Sequence, residues 1–122
     1  MNRPRPTLCI AERNTNILEL LRREFGHEGY AVITAGSGIE VLKRLAASDS
    51  VDLLVLDAEI GDPDGGSLVP HVKRLYPLLP VVLHAFAGLD GGEGGVARVE
   101  KGGDFERLKT TVREVLRKRG ED

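Results

Sequence analysis

The sequence predicts an α/β fold, a doubly wound five-stranded parallel sheet with helices on both faces. Three observations carry the prediction. Apolar runs of strand length recur five times along 122 residues, and amphipathic helical patterns separate most of them. The third run, in VDLLVLDAEIGDPDGG (residues 51–66), is apolar without alternation, as a strand covered on both faces must be. That same run ends abruptly on Asp57, so a buried strand delivers a carboxylate to its own carboxyl end.

The strands are expected at Leu8 to Ile10, Ala31 to Thr34, Leu53 to Leu56, Val81 to His84 and Val96 to Val99. Ile17, Leu18, Leu20, Leu21 and Phe25 keep helical spacing, and Gly26 and Gly29 are expected to stop that helix. Ser37 and Glu40 form an S-x-x-E capping box opening a second helix, with Ile39, Leu42 and Leu45 inward. Leu68, Val69, Val72, Leu75 and Tyr76 mark a third, ended before Pro77 and Pro80. The last begins near Asp104, a suitable N-cap, and runs through Phe105, Leu108, Val112, Val115 and Leu116. Between the fourth and fifth strands, residues 87–95 read AGLDGGEGG, in which five of nine residues are glycine. Each glycine costs a helix about 1 kcal/mol relative to alanine, so the fourth crossover helix is expected to be shortened or absent.

The length suits one domain over residues 1–122. Composition is ordinary for a globular protein, with 41% hydrophobic and 30% charged residues. A net charge of −2 gives no electrostatic footprint for nucleic acid, and the C-terminal RKRGED reads as a solvated helix end. The single cysteine, Cys9, lies in an apolar run, so it reads as a core thiol in a reducing compartment. No apolar stretch is long enough to serve as a signal peptide or membrane span, and a cytoplasmic location is expected.

In an open parallel sheet, ligands bind beyond the carboxyl ends of the strands. After the first strand stand Ala11, Glu12 and Arg13; after the third, Asp57, with Glu59, Asp62 and Asp64 in its loop; after the fourth, Ala85; after the fifth, Lys101. Two acids and a lysine can therefore converge from three strand ends. Glu59, Asp62 and Asp64 read as solvated loop acids in their side chains, and His27, His71 and His84 show no metal-ligand spacing.

TLCIAER, VDLLVLDAEIGDPDGG, PVVLHAFAG and RVEKGGDFERL, in that order and with helices between them, resemble the receiver domain of bacterial response regulators across essentially the whole chain. The resemblance implies a flavodoxin-like sheet of order 2-1-3-4-5, and a signalling module of two-component systems rather than an enzyme. It implies Asp57 as phosphoacceptor, Lys101 as its partner, and Mg²⁺ held by Glu12, Asp57 and the backbone carbonyl of Glu59. It implies a sensor histidine kinase or phosphotransfer protein as donor and an unspecified output protein; the charge and the lack of a long apolar segment, noted above, lead us to expect no nucleic acid and no membrane as partners. The chemistry is coherent: a carboxylate attacks phosphorus to give an acyl phosphate, and a cation steadies the equatorial oxygens. Two carboxylates about 4 Å apart repel by roughly 4 kcal/mol at an effective dielectric near 20, so such a site requires positive charge.

The sequence departs from the family at four places. Ala11 stands where one of two adjacent acids is usual, Ala85 where a serine or threonine hydroxyl is usual, and Arg98 where an aromatic is usual. The interval from Ala85 to Lys101 is 101 − 85 = 16 residues, shorter than the family's, which fits a lost fourth helix. Arg13 can fold over the site and pair with Asp57 in place of metal. Two readings follow: a divergent, metal-weak phosphoryl acceptor, or a pseudo-receiver that serves as a phosphorylation-independent protein-interaction module.

Overall fold

A computed structural model describes residues 5–86 and 96–120 of the chain. Its elements run β1 (Thr7–Ala11), α1 (Thr15–His27), β2 (Ala31–Ala35), α2 (Gly38–Ala47), β3 (Leu53–Asp57), α3 (Val69–Leu75), β4 (Val81–Ala85), β5 (Ala97–Glu100) and α4 (Glu106–Gly120). The five strands form one parallel sheet in the order β2-β1-β3-β4-β5. This is the predicted architecture. Residues 87–95, on which the reading of a shortened fourth helix rests, lie outside the described residues.

Strand parity divides the core into two layers. Cys9, Leu54, Leu56 and Leu83 face the buried side of α2 and α3, where Val41, Leu45, Val69 and Val72 meet them. Leu8, Ile10, Leu53, Val55 and Val82 face α1 and α4, where Leu21, Phe25, Leu108 and Val112 meet them. β3 and β4 are buried along their whole lengths. β5, at the sheet edge, buries only Val99 fully. Burial at Cys9 pushes its thiol pKa up to about 12 despite Arg44 nearby, so it is an inert core residue.

Local chemistry sets the helix ends. Asn14 Oδ1 accepts from the amides of Asn16 and Ile17, opening α1. The capping box of α2 forms with a variation: Ser37 Oγ accepts the Glu40 amide at 3.2 Å, and Glu40 Oε1 reaches back to the Gly36 amide at 2.6 Å. Asp104 Oδ1 accepts the Glu106 amide ahead of α4. Lys109, only 9% exposed, bonds Glu24 Oε1 at 2.7 Å and so ties α4 to α1. That hydrogen bond is the main cause holding its pKa above the usual lysine value.

Several sequence expectations are corrected. Ile39 is 54% exposed; the inward stripe of α2 is Gly38, Val41 and Leu45, and Ile39 sits about 100° round the helix from Gly38. Leu20 and Leu75 keep helical spacing yet are exposed. Gly26 lies within α1, and it is Gly29, with φ +99°, that turns the chain away. The fifth strand is displaced by one residue, to Ala97–Glu100.

Candidate functional site

The register brings the site together. Ala11 is paired with Leu56, Asp57 with His84, and Ala85 with Glu100, so the carboxyl ends of β1, β3, β4 and β5 lie side by side. Glu12 and Asp57 are buried, at 3% and 1% exposure, and the Lys101 side chain is 12% exposed. Lys101 leaves the end of β5 with its amide bonded to the Ala85 carbonyl, and its side chain crosses to β3. Its Nζ donates to Asp57 Oδ1 at 2.8 Å. The same Nζ lies 3.3 Å from Glu12 Oε1, an ion pair by distance. Its angle is not that of a hydrogen bond, so Glu12 Oε1 is buried with no hydrogen-bond partner among the described residues. We read this contact as charge attraction only. Glu12 Oε2 accepts the Asn14 amide at 3.1 Å.

Asp57 is held on every side. Besides Lys101, Oδ1 accepts the Glu59 amide at 3.0 Å and Oδ2 accepts the Arg13 amide at 3.2 Å. Burial is the largest single influence on its pKa and pushes upward. The hydrogen bonds from Lys101 and the two amides together outweigh it and hold the carboxyl below its ordinary value. Arg13 Nε lies 3.5 Å from Asp57 Oδ2, and its terminal nitrogen meets Glu59 Oε1 at 2.8 Å. Asp57 is thus faced by two cations, Lys101 at Oδ1 and the half-exposed Arg13 at Oδ2, and Lys101 also faces the buried Glu12. Among the described residues no three His, Cys, Asp or Glu side chains gather as a metal site. The unpartnered Glu12 Oε1 beside Asp57 nonetheless supplies hard oxygen ligands suited to Mg²⁺ completed by water.

Two participants, and the burial of a neighbouring loop acid, escaped the sequence reading. His84, one residue before Ala85, is 5% exposed with Nδ1 unpartnered; burial, then Lys101, push its pKa down to about 4, against the opposing pull of Asp57. Phe86 places its ring 4.9 Å from Lys101 Nζ, a cation–π contact on the solvent side of the lysine. Asp62, expected to be solvated, has a side chain only 8% exposed, bonded to His71 Nδ1 at 2.7 Å and to the Asp64 amide at 2.8 Å. A loop acid three residues before the turn glycine Gly65 signals exposure, and nothing local reveals the histidine that packs against it. Arg98, standing where the family usually has an aromatic, donates to the Phe86 carbonyl at 3.1 Å while remaining exposed.

Residues 8–89 match the family model of the response regulator receiver domain. The chain belongs to that family. The Escherichia coli K12 transcriptional regulatory protein GlrR is 33% identical over 76 residues, covering 62% of this chain and 17% of that protein. The Staphylococcus aureus USA300 response regulator SaeR is 33% identical over 75 residues, covering 62% of this chain and 32% of that protein. The chain therefore spans less than a third of these relatives' lengths. Among solved structures, the signal receiver domain of an HD domain-containing protein from Pseudomonas fluorescens Pf-5 superposes with a TM-score of 0.83 at 23% identity, covering 97% and 99% of the two chains. The response regulator TrrA of Thermotoga maritima, solved in complex with Mg²⁺-BeF, gives 0.74 at 24% identity, covering 89% and 97%. Both likenesses concern the fold. The receiver family is a signalling family, and the matched segment ends before Lys101, whose place at the site rests on the geometry above.

Proposed function

We propose that this receiver domain accepts a phosphoryl group on Asp57, assisted by Lys101 and a weakly held Mg²⁺. The observation that carries the reading is the 2.8 Å bond between the Lys101 ammonium, on a side chain 12% exposed, and the buried Asp57 Oδ1. A lysine buried against a strand-end carboxylate is charge arranged for anionic oxygens. Asp57 Oδ2, released from Arg13, attacks phosphorus in line; the new O–P bond forms as the donor's bond breaks, and the donor leaves with its electron pair. Lys101 then pairs with a phosphoryl oxygen. Bound Mg²⁺ would supply further positive charge to those oxygens. Glu12, Asp57 and the backbone carbonyl of Glu59 would hold it, with water completing the shell. Ala85 supplies no hydroxyl to the phosphoryl group, and Ala11 no second acid to the hydrated ion. The metal is therefore held weakly, and Arg13 competes with it for Asp57. A histidine kinase or phosphotransfer protein is the donor class that the family implies.

The Arg13 pairing favours a second reading. If the guanidinium already balances Asp57 and Glu59, the domain is complete without metal or phosphate and acts as a binding module. Fluoroberyllate with Mg²⁺, the pair bound by TrrA, separates the two. Under the first reading, amide shifts at Asp57, Glu59 and Lys101 move saturably in an NMR titration. Under the second they stay where they are.

A further inference from the structure

The loop from β3 to α3 carries an anchor that the phosphoryl reading does not use. Between Ile60 and Leu68, both buried, every residue is exposed except Asp62, whose side chain is 8% exposed. Three of the seven intervening residues, Gly61, Gly65 and Gly66, are glycine, so the chain there has little stiffness of its own. Asp62 supplies it. Its amide donates to the Gly66 carbonyl at 2.9 Å, its carbonyl accepts the Gly65 amide at 2.9 Å, and its Oδ1 accepts the Asp64 amide at 2.8 Å. Oδ2 meets His71 Nδ1 on α3, 2.7 Å away. With its proton on Nδ1 the ring donates to the carboxylate, a charge-assisted bond that joins loop to helix. On the other flank α2 presses close, since a Cβ on Gly38 would stand 2.3 Å from the Gly61 carbonyl oxygen.

We infer that Asp62 and His71 are positioning residues for the phosphoryl site, an inference that rests on the phosphoryl reading of Asp57. The loop they pin starts at Glu59, whose amide donates to Asp57 Oδ1 at 3.0 Å and whose carbonyl is the proposed backbone ligand of Mg²⁺. The peptide plane that carries this carbonyl is held from two ends. Upstream, the Ile60 amide donates to the Asp57 carbonyl at 3.0 Å and the Ile60 side chain is buried. Downstream comes Gly61, with no side chain to hold it, and the next grip on the chain is Asp62. Without the bond to His71, the glycine-rich segment swings about Ile60 and loosens the Glu59 amide and carbonyl at its near end. The pair thus ties the site to α3 without touching a reacting atom.

The test is amide exchange, followed by NMR on the full chain with neither Mg²⁺ nor phosphodonor present. His71→Ala and His71→Leu remove the donor at two side-chain sizes, at a position 21% exposed. His71→Asn returns an N–H close to where Nδ1 stands. The Glu59 and Asp64 amides should exchange about tenfold faster in the first two variants. Leu54 and Val82, in the core strands, should keep their rates, and His71→Asn should restore those of Glu59 and Asp64. Fluoroberyllate with Mg²⁺ should bind about fivefold more weakly to His71→Ala and His71→Leu than to wild type or His71→Asn. Wild-type exchange at Glu59 in both donor-less variants overturns the inference. An equal acceleration at Leu54 and Val82 also overturns it, because it marks a purely structural role, as does faster Glu59 exchange with unchanged fluoroberyllate affinity. A wild type that binds no fluoroberyllate refutes the phosphoryl reading instead, and the Glu59 exchange rates then still decide whether the pair positions the loop.

Discussion

Arg13 approaches Asp57 at Oδ2, with Nε 3.5 Å away, while Lys101 holds Oδ1 at 2.8 Å. The two cations therefore share one carboxylate but differ in permanence. The Lys101 side chain is 12% exposed and the Arg13 side chain 53%, so the arginine is the partner that can leave. Its second contact, to Glu59 at 2.8 Å, steadies it beside Asp57, over the face that metal and phosphoryl group would use in the proposed reaction.

Arg13→Ala is expected to tighten Mg²⁺ binding. A half-exposed ion pair is worth about 0.2–1 kcal/mol, so the gain should be up to about fivefold, read by calorimetry or NMR titration. Unchanged or weaker binding would mean that the guanidinium does not compete for the carboxylates.

Ala85→Thr should raise affinity for fluoroberyllate, because a hydrogen bond to a charged group contributes about 1.5–3 kcal/mol. Ala11→Asp should strengthen Mg²⁺ binding but lower metal-free stability. Ala11 is 1% exposed and packs in the α2–α3 layer, where an added carboxylate is desolvated. Thermal melts with and without Mg²⁺ read both effects, and a metal-free melting temperature that does not fall would contradict the packing argument.

His84 makes folding pH-dependent. Its folded pKa is depressed to about 4 from 6.5, so between those values the unfolded chain binds the extra proton. Stability is fully present above pH 6.5 and is lost as pH falls toward 4, by roughly 3 kcal/mol at most. Asp57, also depressed, adds a loss at still lower pH, as the solution falls through its folded pKa. Urea melts across this range should show a shallower slope between pH 6.5 and pH 4 in His84→Phe than in wild type. Identical slopes would show that the imidazole is not buried neutral.

Gly38→Ala tests how α2 meets the loop after β3. A Cβ there would stand 2.3 Å from the Gly61 carbonyl oxygen, a contact with backbone that a rotamer change cannot relieve. The variant should lose about 1–3 kcal/mol, despite a helix-propensity gain of about 1 kcal/mol. Denaturant midpoints measure the difference.

The strands and the Asp57–Lys101 pair were legible in the sequence for a physical reason. A run such as LLVLD is apolar on both faces only if both are covered, and in a parallel sheet the residues ending such runs must neighbour one another. Ile39 was misplaced because Val41 and Ile39 both continue an apolar pattern, and only packing against the sheet decides which faces inward. The Arg13 contact with Asp57 was foreseen from adjacency to Glu12. Its grip on Glu59 was not, since a loop acid gives no local sign of its partner. His84 read as one more residue in a strand, and its unpaired nitrogen emerges only when α4 closes over β4.

The most direct measurement of the central claim is the intact mass of the protein after incubation with acetyl phosphate and Mg²⁺. The account predicts a single phosphoryl adduct on wild type, none on Asp57→Asn, and slower accumulation on Lys101→Ala. No adduct on wild type, or an adduct that persists in Asp57→Asn, would contradict it.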